Sequence, residues 1–118
     1  MFEALVAEAF DALSEEFGEA LDNVAVVVED WPDRETLRLA GVRSPMQLLG
    51  FYHGTPRPKR GYSYNLVPPD KISIYRRPIE RLCHTEAELR AMVERVLRHE
   101  IAHHFGIDDD RLHEIDAY

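Results

Sequence analysis

Residues 99–103 read His99-Glu100-Ile101-Ala102-His103, two imidazoles four positions apart with a carboxylate beside the first. On an α-helix a four-residue step returns to within about 40° of the same direction, so both rings can grip one divalent ion from a single face. Zn²⁺ suits them, one ion per chain, because imidazole nitrogens are among its ordinary ligands. Glu100 points between the two turns. From there it can take a proton from a water polarised by the ion without being a ligand itself. The chemistry carried by this spacing is metal-assisted hydrolysis of an amide, with Glu100 as general base and a peptide or small protein as substrate.

Two imidazoles leave such a site short of a ligand. Gly106 follows three residues after His103 and supplies a turn, and in the spacing H-E-x-x-H-x-x-G-x-x-H the last position falls on Asp109, whose carboxylate can coordinate zinc. His99, His103 and Asp109 would leave the site a net charge near +1, so its water would be less acidified than in an all-histidine site. Asp108, Asp110, His113 and Glu114 are the rival third donors, Asp108 being better placed as a helix cap. His104 points about 100° away from His103 and reads as a packed or surface residue. Tyr62, Tyr64 and Tyr118 are candidate hydroxyls for an oxyanion. No methionine follows Met92, so the methionine turn that accompanies the all-histidine spacing is missing.

These residues need a scaffold. Thr85 with Glu88 three positions on is a capping box, and Leu89, Met92, Val93, Val96, Leu97, Ile101 and Phe105 keep helical spacing up to Gly106, which puts the motif on the last turns of a long helix. Phe2, Leu5, Val6, Ala9, Phe10, Leu13 and Phe17 predict an amphipathic first helix ending near Gly18. The β-branched run at 23–30 suits a buried strand, the stretch LLGFYHG a second, and the alternating KISIYR at 71–76 a half-buried third. Short helical pieces are expected over 33–40 and from Pro78 to Cys83. Thr55 to Asp70, with four prolines, reads as a long loop. A short terminal helix would start at the Asp108 cap, with Ile107 and Leu112 as its staple. The chain is thus mixed α and β, one domain over 1–118.

Composition narrows the partners. With 22 acidic against 14 basic residues the formal charge is −8, which repels phosphate backbones and argues against nucleic acid. Arg57, Lys59, Arg60, Arg76, Arg77 and Arg81 form the one basic concentration, read as a charge-balancing surface. The lone Cys83 and an acidic start without a basic leader fit the cytoplasm, and no apolar run is long enough to span a bilayer.

The segments VAVVVED, LLGFYHG, ISIYRRPIERLC and HEIAHHFGIDDDRLHEI resemble recurring stretches of the small bacterial zincin-like metallopeptidase family, whose members carry H-E-x-x-H-x-x-G-x-x-D near the C-terminus. The resemblance implies a minimal zincin fold, α/β (α+β), in which a small mixed sheet carries an N-terminal helix and a long zinc-binding helix. It implies a zinc site of His99, His103 and Asp109 with Glu100 as base, and peptidase chemistry. The alternative is a metal-binding or protein-interaction module that keeps the scaffold without proteolysis. With 15 residues after His103, the second wall of a cleft is nearly missing: either a partner or a second copy in a homo-oligomer completes it, or the substrate is short or unfolded, or catalysis has been lost.

Overall fold

A computed structural model of the protein describes residues 1–54 and 70–104. Helix α1 spans Phe2–Phe17 and buries Phe2, Leu5, Val6 and Leu13 from the predicted stripe. It stops at Gly18, whose φ of 62° is a conformation that costs glycine nothing. A 3₁₀ turn, Gly18–Leu21, leads into strand β1, Val24–Glu29. Helix α2, Arg34–Ala40, is capped by Asp33, which accepts from the Thr36 N–H at 2.7 Å. A second 3₁₀ turn at Pro45–Gln47 precedes strand β2, Gly50–His53. Strand β3 is Asp70–Tyr75, helix α3 Arg76–Leu82 and helix α4 Glu86–His104.

The described strands form one mixed sheet in the order β1-β3-β2. β3 pairs parallel with β1 and antiparallel with β2, so that Ile72 faces Val26 on one side and Tyr52 on the other. Helices α1 and α4 share one face of this sheet, where Leu5, Leu13, Val93, Leu97 and Ile101 enclose Ile72 and Ile74. The two helices run in the same direction, because Arg90 meets Glu8 at 2.6 Å and, eight residues further along both, Arg98 meets Glu16 at 2.7 Å. This is the small α+β fold expected. No helix among the described residues is long and apolar enough to cross a membrane.

Three local expectations need correction. The valine-rich run is not the buried strand: among the described strands β1 is a half-buried edge, and the alternating β3 is the central strand, buried along most of its length. Its Ser73 is covered because one residue from each neighbouring strand satisfies it on the far face. Ser73 Oγ donates to Glu29 Oε2 at 2.9 Å and accepts from His53 Nε2 at 3.3 Å, while Lys71 lies 4.0 Å from Glu29. Burial and the nearby Lys71 ammonium push the His53 imidazole below its ordinary pKa, which suits a neutral ring donating to a hydroxyl.

Helix α3 starts at Arg76, two residues before Pro78, and Tyr75 is both the last strand residue and the helix N-cap. Proline is tolerated there because a first-turn N–H has no helical partner. At α4 the Thr85 hydroxyl accepts from the Glu88 N–H at 3.1 Å as a capping box requires, but Glu88 reaches one residue further back, to the N–H of His84 at 2.6 Å. Of the loop expected over Thr55–Asp70, Asp70 is instead the first residue of β3; the rest of it, the end of the long helix at Phe105 and Gly106, and the terminal helix lie outside the described residues.

One glycine sets the distance between sheet and helix. A Cβ on Gly50 would stand 2.6 Å from Val96 Cγ1 and 3.2 Å from the Ser73 carbonyl oxygen. Only a residue without a side chain lets α4 seat this closely on β2.

Candidate functional site

From the seat of Val96 on Gly50, helix and strand advance together. Four residues along α4, about 6 Å, lead to Glu100, and two residues along β2, about 6.6 Å, lead to Tyr52. The match brings the Glu100 carboxylate to the strand, where its Oε1 accepts the Tyr52 backbone N–H at 3.0 Å. That N–H is available because of strand register. The Tyr75 N–H bonds the Leu49 carbonyl at 3.0 Å, so backbone groups at odd positions of β2 face β3 and those of Tyr52 face outward.

Glu100 is 8 % exposed. Burial pushes its carboxyl up to about 7, against a smaller downward pull from the Tyr52 N–H. A carboxylate with proton affinity near neutrality can both take and return a proton, as a general base that becomes a general acid must. Glu100 is thus no solvated helical acid, and Arg98 is engaged elsewhere, by Glu16 and Glu94.

His99 and His103 stand one turn apart on the same helix, His99 half-buried and His103 exposed. Their ring centroids are 4.2 Å apart with planes tilted by 57°. Ligand atoms of His99, Glu100 and His103 all lie within 4.8 Å of one another. Two nitrogens sharing a tetrahedral zinc at about 2.1 Å each would be about 3.4 Å apart, a separation that falls within the spread of these ligand atoms. Asp109 lies outside the described residues, as do Asp108, Asp110, His113, Glu114, Tyr62, Tyr64 and Tyr118.

Two residues that build the site carry no chemical motif. Tyr52 supplies the N–H to Glu100, and its hydroxyl donates to Asp70 Oδ2 at 2.9 Å; Asp70 is fully buried. Sequence reasoning left Asp70 at the end of a loop and Tyr52 as an ordinary strand residue. The signal within reach was Gly50, since an isolated glycine inside a strand marks a close backbone approach. Within the basic concentration, two of the three described arginines meet an acid. Arg76 pairs with Asp30 at 3.0 Å, Arg77 with Glu80 at 3.6 Å, and Arg81 contacts the Met46 sulfur.

No curated protein matches the sequence. The family model of the zincin-like metallopeptidases matches residues 21–118, from the turn before β1 through α4 to the last residue. A carboxylate anchored to an edge strand beside two helical imidazoles, and a family match over most of the length, agree: the chain belongs to the zincin-like metallopeptidase family.

Proposed function

We propose that this protein is a zinc-dependent peptidase in which His99, His103 and Asp109 hold one zinc ion and Glu100 is the general base. The observation that carries the reading is the fixed position of Glu100: its carboxylate, held by the Tyr52 N–H, stands beside both imidazoles and is almost fully withdrawn from water. Zinc, when bound, supplies Lewis acidity that acidifies a water and polarises the carbonyl it attacks. Glu100 removes the proton from the attacking water and delivers it to the departing amine, and neither transfer requires the carboxylate to move far. Asp109 enters as the third donor on the family's H-E-x-x-H-x-x-G-x-x-D pattern, which the sequence matches at every fixed position.

The test compares the zinc-loaded wild type with Glu100→Gln on a peptide library. Gln keeps the size and can still accept from Tyr52, but cannot take a proton. Equal zinc content with peptidase activity lower by about 10²–10⁴-fold is expected. Zinc bound by both and no cleavage by the wild type would replace the peptidase reading with a non-proteolytic metal-binding module.

A further inference from the structure

On the edge of the sheet remote from Glu100, a groove of about 370 Å³ opens between α1 and β1. Its walls are Val6 and Phe10 from the helix and Val26 and Val28 from the strand, and Glu3 and Asp11 stand on its rim. The bottom is apolar and the rim acidic.

The groove runs along an unpaired backbone. The Asn23 carbonyl accepts the Asp70 N–H at 3.0 Å, so alternation along the parallel ladder turns the N–H and C=O groups of Ala25 and Val27 toward β3 and those of Val24, Val26 and Val28 outward. Among the described residues, no backbone bond is made to that outer row. Edge strands in this state accept an added strand.

Charge selects the occupant. Helix α1 carries five acidic residues and no basic one; Glu8 and Glu16 are engaged by Arg90 and Arg98 on the α4 side, while Glu3 and Asp11 border the groove. A second copy of the chain would set one acidic α1 against another and is disfavoured. Spacing narrows the choice further. Glu3 and Asp11 are eight helical residues apart, about 12 Å, and residues i and i+4 of an extended strand lie about 13 Å apart on one face with residue i+2 between them.

We infer that the outer edge of β1 is a docking site for an extended segment of a partner protein, with the pattern basic-x-apolar-x-basic. The segment pairs with the outward groups of Val24, Val26 and Val28, drops its central apolar side chain between Phe10 and Val26, and sets its two cations against Glu3 and Asp11. The site lies at the opposite edge of the sheet from β2, so it stands or falls independently of the peptidase reading.

The peptide Ac-TKTITKT-NH2 titrated into isotopically labelled full-length protein is expected to shift the amides of Val24–Val28 saturably. The double variant Glu3→Lys, Asp11→Lys, both exposed positions, should weaken that peptide about tenfold or more and strengthen Ac-TETITET-NH2 by a similar factor. Absence of shifts on β1, indifference to charge reversal, shifts confined to the His99–His103 helix end, or light scattering that reveals a dimer joined through β1 would each overturn the assignment.

Discussion

Glu100 Oε1 and the backbone N–H of Tyr52 are joined by a 3.0 Å hydrogen bond across 48 residues of sequence. The bond couples the proton affinity of the helical carboxylate to the seating of an edge strand. The burial that comes with that seating leaves a measurable mark on stability.

In the metal-free protein the Glu100 carboxyl titrates near 7 when folded and near 4.5 when unfolded. The folded state therefore holds more protons between those values, and stability falls as pH rises from about 4.5 to about 7, then levels. The loss amounts to about 3 kcal/mol. Urea melts of chelator-treated protein at pH 5 and pH 8 measure it, and Glu100→Gln should flatten the difference.

Zinc should act in the opposite sense. Neutral imidazoles bind it, so zinc stabilises increasingly as pH rises through the histidine range. At a hundredfold excess over the dissociation constant the gain is about 2.7 kcal/mol. Thermal melts with and without zinc should show this for the wild type, and His99→Ala or His103→Ala should abolish most of it.

The contact between Gly50 and Val96 predicts a paired effect. Gly50→Ala places a methyl where 2.6 Å is available and should destabilise by about 1–3 kcal/mol while pushing Glu100 away from Tyr52. Val96→Ala in the same chain should recover part of both stability and activity, since residues in contact couple by about 0.5–3 kcal/mol. A double-mutant cycle read by denaturant midpoint and by peptidase rate checks it.

Tyr52→Phe keeps the backbone N–H that holds Glu100 and removes the hydroxyl that donates to the buried Asp70 carboxylate. A stability loss of about 1–3 kcal/mol is expected, with a smaller fall in activity than Glu100→Gln produces. Equal losses of activity in both variants would contradict the separation of roles.

The grouping of His99, Glu100 and His103 was legible before the framework that positions it. Glu100 and the two histidines follow from helical geometry, because i and i+4 share a face whatever the helix packs against. The helices were legible for the same reason, through the spacing of Leu89, Val93, Val96 and Leu97. The rank of the strands was not. A valine run suggests burial, yet β1 is an edge, and the alternation in KISIYR suggests one wet face, yet Ser73 is fully buried with Glu29 and His53 as partners. Such reciprocal satisfaction is a relation between three strands, which periodicity within one strand does not express. Tyr52 escaped notice because its contribution to the site comes from its backbone, which every residue but proline possesses.

The two imidazoles are neighbours along a single helical turn, whereas the donor that steadies the base comes from a strand almost half the chain away. Grip is local and reactivity is not. A nascent or partly unravelled molecule whose α4 has formed already has the two imidazoles proposed to hold zinc side by side, but its glutamate is then an ordinary wet carboxylate with no strand to hold it. On the proposed function, hydrolytic power would therefore belong to the assembled sheet: a nascent chain would be able to take up zinc before it could cut anything, itself included.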